Sequence, residues 1–316
     1  HLSIRRQRQM CIRDSIGLGL TSIIWGTTWV ASKYGVKQGM LAFELSAIRN
    51  GLGGLSLIVF FLIKGQKLPT FKEFKWLLGM SILLFVIANG FSTYALKEIP
   101  SGLAALIAAL YPLSVVIIEK IKYNNTKITS LTFQGMLLGI IGIGIVFYEN
   151  LAVHNSAGYF IGVSVSLIAM LSWSFGTIFI ARNKMNMNPY YATGWQMFLS
   201  CFFLGVFAAA SGKSIPIQEI TLTVWMVIAY LIVASSIVAF AAFIYTMEHL
   251  PPAIASLYAY INPIVATIVG AYTVNEKLSL PIFIGSFVTL TGVYLVNRSM
   301  KKQHQEIIPV TDADGM

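Results

Sequence analysis

Trp25, Thr28 and Trp29 stand three and four residues apart in the apolar stretch GLGLTSIIWGTTWVAS, which puts two indoles and a hydroxyl on one face of a helix. Such a face can hold an amphipathic solute, the rings covering its apolar body and the hydroxyl taking a polar group. The bland alternatives are core packing and anchoring of the tryptophans at a membrane interface. Trp173 and Thr177 repeat the pattern at i,i+4 spacing, and Tyr258 and Asn262 share a face in the same way, with Tyr111 placed to oppose them. Asn89 is the only amide inside its apolar run, which also carries Tyr94. An amide is costly in hydrocarbon and must face other helices or a wet cavity, so helix-to-helix bonding and solute contact both stay open for it. Tyr245 is a weaker candidate. Gln196 is left out, because its helix is expected at the periphery. Pro112 and Pro263 follow Tyr111 and Asn262. Each removes a backbone donor and frees a carbonyl, so both are expected to break their helices and present polar backbone to a cavity.

These residues bind; they do not catalyse. His154 has no partner at ligand spacing, His249 sits in the turn EHLPP, and His1 and His304 are in the tails. No nucleophile–base pair, paired carboxylates, phosphate loop or dinucleotide fingerprint is present, so no enzyme, cofactor or metal is expected. The two cysteines, Cys11 and Cys201, suggest neither a disulfide framework nor a metal site. Glu44, Arg49, Glu119, Glu149 and Glu276 all fall near the ends of apolar runs, where a long side chain can reach the interface. No charged group is expected at mid-depth. The solute should therefore be neutral or zwitterionic, and a clean proton-coupling carboxylate is missing.

The elements that must position these residues follow from composition. The chain has 316 residues, 56% hydrophobic and 11% charged, against about 25% charged in soluble domains. Crossing a bilayer takes roughly 20 apolar residues. Ten runs qualify: 16–34, 42–63, 74–95, 100–119, 131–149, 158–181, 190–210, 222–246, 252–273 and 281–297. They lack the period-two alternation of a barrel, so an all-α polytopic membrane protein is expected. Sixteen of the 22 Lys and Arg residues fall in one alternating set of segments, which holds Arg5, Lys64, Lys120, Arg182 and Lys301 among others. This bias predicts both termini in the cytoplasm and an even number of spans. It also explains the net charge of +10 by topology, with membrane lipids as partners and no nucleic acid. Residues 1–15 are basic, and since the chain opens on His the segment reads as incomplete or foreign to the natural protein. The long run behind it favours an uncleaved first helix over a signal peptide. Residues 300–316 form a cytoplasmic tail.

The halves repeat. ALKEIPSGLAALIAALYPLSVV returns as TMEHLPPAIASLYAYINPIVAT, matching Pro100 to Pro251, Ala104 to Ala255 and Pro112 to Pro263 at an offset of 151. Gly26-Thr27 returns as Gly176-Thr177, Lys127 as Lys277, Gly135 as Gly285 and Gly142 as Gly292, all at an offset of 150. Residues 16–149 and 158–299 then hold five spans each. Five is odd, so the copies are inverted, which is the architecture of alternating access to a shared cavity. A channel would show a filter of carbonyl-rich loops or charged rings, and none is evident.

The motif WGTTW, Arg49 beside the second span, IPSGLAALI running to Tyr111-Pro112, and LPPAIASLYAYINPIVATIVGAYTVNEKLS together resemble the EamA family of the drug/metabolite transporter superfamily, over roughly residues 16–300. The resemblance implies a bacterial inner-membrane carrier of ten helices in two inverted repeats. It further implies a cavity lined chiefly by helices one, three, four, six, eight and nine. The halves differ at Glu276, where the first copy has Asn125 or Thr126. The expected function is secondary transport of a small metabolite, an amino acid first, as an exporter. The alternatives are a broad exporter of hydrophobic drugs, an importer of other metabolites, or a structural membrane protein. The sequence leaves monomer and homodimer both open.

Overall fold

A computed structural model of the chain describes residues 2–123, 128–153, 156–183, 185–212, 215–249 and 258–307. His1, Asn125, Thr126, Lys127, His154, Pro251 and Ala255, named above, lie outside them. The helices are α1 Leu2–Lys37, α2 Ala42–Ile63, α3 Phe71–Ala95, α4 Ser101–Tyr123, α5 Ser130–Val153, α6 Ala157–Arg182, α7 Pro189–Ser211, α8 Leu222–Met247, α9 Tyr258–Val274 and α10 Leu280–Ile307. Among the described residues eight of them, α2 to α8 and α10, are long and apolar enough to cross a membrane. The described part of α9 is shorter, at 17 residues. α1 is diluted by Ser, Thr, Gly and Trp, and it runs unbroken from Leu2 through the basic segment. The protein is all-α and polytopic, with large apolar side chains such as Ile63, Ile140 and Phe287 on its outer surface.

Local irregularities shape the interior. α3 widens to π geometry over Ile82–Gly90, and α8 does the same over Leu231–Ala239, an offset of 149. Such wide turns recur at functional sites, because the displaced hydrogen-bond ladder re-aims side chains. α4 is broken at Ala109–Leu110, between pieces Ser101–Ala108 and Tyr111–Ile118, with Pro112 in the first turn of the second piece. There its missing N–H costs nothing. The expected break at Pro263 does not occur. α9 continues through it, and the proline only removes the donor that Ala259 would have met one turn back.

Pairs of helices meet through residues matched between the halves. A Cβ built on Gly135 would sit 2.6 Å from the Gly292 carbonyl, and one on Gly142 would sit 2.5 Å from that of Gly285. The reverse contacts hold too, Gly285 against the Gly142 carbonyl and Gly292 against that of Gly135. α5 and α10 thus pack backbone to backbone, as small residues allow in lipid. Between α2 and α7, Asn50 Nδ2 donates to Ser200 Oγ at 3.3 Å, and Gly51 faces Cys201.

Charged side chains close three helix ends. Glu276 stands two residues past the end of α9 and turns to the start of another helix. Its carboxylate accepts from Ser101 N at 2.7 Å, Ser101 Oγ at 2.8 Å and Gly102 N at 3.4 Å, capping the start of α4. Lys33, buried at 8% exposure, donates to the carbonyls of Leu96 and Ile99 just past α3, and Lys37 donates to that of Val274 at the end of α9. A carboxylate at a helix N-terminus and a cation at a C-terminus both complement the helix dipole. Glu276→Ala strips α4 of its cap, which should lower stability by about 1–2 kcal/mol. A thermal melt in detergent reads this, and an unchanged midpoint would show that the cap contributes nothing.

Candidate functional site

A cavity of about 150 Å³ lies among the helices, space enough for a benzene-sized molecule. Seven helices wall it. α1 contributes Trp25, Thr28, Trp29 and Ser32, which are successive positions of one helical face. α3 presents Asn89, Ser92 and Thr93 where its π turn returns to α geometry. α4 and α9 add Ala108, Tyr111, Ala259 and Asn262, and α6 and α8 add Trp173, Ser235 and Phe240. The seventh is α2, through Arg49 alone.

The α1 N-terminal side of the cavity is closed by aromatic rings. Trp25 lies 6.2 Å from Trp173, 5.1 Å from Phe240, 4.9 Å from Phe243 and 5.3 Å from Tyr258, centroid to centroid. Phe243 and Tyr258 are 5.5 Å apart. Most of these pairs meet edge to face, which suits the ring quadrupoles.

The opposite side is polar. Arg49 lies seven residues into α2, about 10 Å along its axis, and is 4% exposed. The expectation that it reaches the interface is wrong: the side chain turns inward. Its Nη2 donates to Asn89 Oδ1, while Nε and Nη1 are buried without a partner. Asn89 also accepts from Asn50 Nδ2 at 3.5 Å. Asn89 is therefore at once a helix-to-helix bond and part of the cavity wall. The two prolines also act here. Each lacks the N–H that would engage the carbonyl four residues back, and those carbonyls belong to Ala108 and Ala259, both on the wall.

Eight of the eleven candidate binding residues lie together on this cavity: Trp25, Thr28, Trp29, Asn89, Tyr111, Trp173, Tyr258 and Asn262. Three do not. Tyr94 stacks on Phe43 at 5.3 Å, because the helix turns it one face away from Asn89 and Thr93. Thr177 donates its hydroxyl to the carbonyls of Trp173 and Ser174 and sits behind Tyr111. Tyr245 stacks on His249 at 4.1 Å near the end of α8, beyond the aromatic closure. Gln196 is buried in α7 but forms no part of the wall.

The model of the EamA-like transporter family matches residues 15–148 and 160–298, most of the chain. The chain belongs to the EamA-like transporter family. It is thus a secondary, non-ATP carrier of small molecules and not an enzyme. Among the described residues no three His, Cys, Asp or Glu side chains are grouped to hold a metal. Similar proteins include the inner membrane transporter YedA of Escherichia coli K12, 28% identical over 87% of each chain. The transporter YoaV of Bacillus subtilis is 22% identical over 90% of this chain and 96% of its own. A solved crystal structure shares the fold with a TM-score of 0.64 at 16% identity, over 92% of this chain and 98% of that one.

Sequence reasoning about this EamA-like chain missed Arg49, Ser32, Ser92, Thr93, Ser235 and Phe240. Arg49 carried a usable signal, a cation inside an apolar helix, set aside because it stands near the helix start. The serines and threonines carried none, since small hydroxyls are common on every face of a membrane helix.

Proposed function

We propose that the chain exports a small zwitterionic solute, an amino acid, by alternating access. It does so through ten spans arranged as two inverted five-helix repeats in a bacterial inner membrane, with both termini cytoplasmic. One observation carries the reading: equivalent residues of the two halves converge on one cavity. Tyr111 and Ala108 of α4 line it together with their counterparts Asn262 and Ala259 of α9.

Three features support the inversion. The family model matches each half separately. The π turns of α3 and α8 fall within one or two residues of equivalent positions. The glycine contacts are crossed, Gly135 on Gly292 and Gly142 on Gly285, which is the pairing a two-fold axis between α5 and α10 produces. α1 and α9 then count as spans one and nine, bringing the eight long apolar helices to ten. YedA is an inner membrane protein by name, which supports the same location here, and the bias of Lys and Arg supports the orientation. The mixed wall, aromatic on one side and polar on the other, fits an amino acid, with the carbonyls freed at Ala108 and Ala259 available to an ammonium group.

Counterflow in proteoliposomes tests this. Vesicles loaded with unlabelled amino acids should take up at least one labelled amino acid, and Asn262→Ala should abolish that uptake while the protein stays folded. Faster release of the same label from cells overproducing the chain would fix the direction as export. No counterflow of any amino acid by folded wild type would discard the amino-acid reading, and exchange of an apolar drug instead would install the broad exporter.

A further inference from the structure

Among the described residues, Arg49 is the one charged residue that lines the cavity, and no carboxylate residue lines it. The ion pairs among those residues, Lys97 with Glu98 and Arg182 with Glu119, lie elsewhere. Arg49 is 4% exposed and keeps its charge in any environment. A buried charge is normally paired, because leaving it alone in a low-dielectric interior is costly. Here the surroundings offer only neutral acceptance. Asn89 takes Nη2, and Asn89 is held in turn by Asn50, which donates as well to Ser200. Nε and Nη1 remain without a partner. Asn89 therefore braces the planar guanidinium through one Nη2 hydrogen, and the second Nη2 hydrogen with Nη1 or Nε makes a parallel N–H pair that matches a carboxylate.

We propose that Arg49 is the docking point for a carboxylate of the transported solute, so that the carrier selects small organic acids or amino acids over the amines and amides of the same shape. The solute's charge supplies the counter-ion that the protein withholds. The inference deepens the transport reading above and rests on it. It also turns the expected solute from neutral or zwitterionic to one that must carry a carboxylate. In the bound state the acid would lie with its charged end at Arg49 and Asn89, which are bonded to each other, and its body toward the ring of Trp25 on the same wall.

The test uses purified wild-type protein in detergent and paired probes, each an amino, keto or hydroxy acid beside its own carboxamide, read as a ligand-dependent rise in melting temperature. At least one acid should stabilise the protein, and its amide should bind roughly 100-fold more weakly. Arg49→Gln should lose the acid to the same extent, while Arg49→Lys should keep part of it. An amide as effective as its acid would overturn the proposal, as would an acid that binds Arg49→Gln like wild type. The absence of stabilisation by any acid would overturn it as well. The wild-type comparison of acid with amide needs no variant, so a misfolded Arg49→Gln does not block it. A keto or hydroxy acid bound through Arg49 with every amino acid inert would sink the amino-acid reading alone. An amino acid exchanged without discrimination from its amide would sink the Arg49 proposal alone.

Discussion

Gly142→Leu is expected to abolish the folded protein, whereas Gly144→Leu, two residues along the same helix, should be close to neutral. A side chain at Gly142 would run into Thr289 and the Gly285 carbonyl, where the backbones of α5 and α10 touch. Neither neighbour is the free end of a flexible side chain, so the helices must separate. Overpacking alone costs about 1–3 kcal/mol, and separating the pair adds the lost van der Waals contact over its whole length. Against a total stability of about 5–15 kcal/mol, that removes most of the margin. At Gly144 no atom of another helix lies within 4 Å of where a Cβ would sit, so an added side chain there meets lipid only. Size-exclusion profiles and melting curves in detergent separate the two. Equal behaviour of both variants would show that the α5–α10 contact is not what holds the halves together.

Trp25→Ala should reduce exchange by more than tenfold and also destabilise the protein, by about 3–5 kcal/mol if the site cannot collapse. Trp25 touches four other rings from three helices, and its removal opens the floor of the cavity toward the α1 N-terminal end. In an alternating-access carrier such a cluster at one end of the cavity would act as a gate, and an open gate gives leak in place of coupled exchange. Trp25→Phe keeps an aromatic plug and should recover much of both losses. The readout is counterflow beside a melting curve. Full exchange by a folded Trp25→Ala protein would mean that the aromatic cluster is packing and nothing more.

Much of this site is legible in the order of residues alone. Trp25, Thr28 and Trp29 fall on one face because helix geometry fixes which residues of a run point together. The pairing of Pro112 with Pro263 identifies equivalent points in the two halves, and Ala108 and Ala259 on the wall are the backbone consequence. The proline rule alone cannot separate a break from a tolerated insertion. α4 opens at Ala109–Leu110, while α9 stays closed through Pro263.

Thr177 and Tyr245 show the limit of repeat and spacing arguments. Both stand out by position in the repeat or in the span, yet one bonds to its own helix and the other stacks beyond the closure. Glu276 shows a different limit. Its partners Ser101 and Gly102 stand about 175 residues away, and no local pattern signals a cap supplied by another helix pair.

By itself, then, the sequence determined that the chain lives in lipid as a series of apolar rods, that its halves repeat in sequence, and which family it joins. Those properties are set by composition and order along one dimension. The tertiary structure alone decided how each rod is rotated about its axis: that Arg49 turns inward to Asn89, that Tyr94 turns out to Phe43, and that the π turns of α3 and α8 aim their residues at the cavity. In water an amphipathic stripe reveals that rotation. In a bilayer the outer face is as apolar as the packed one, so the pattern that would encode it is erased, and only contacts between helices restore it.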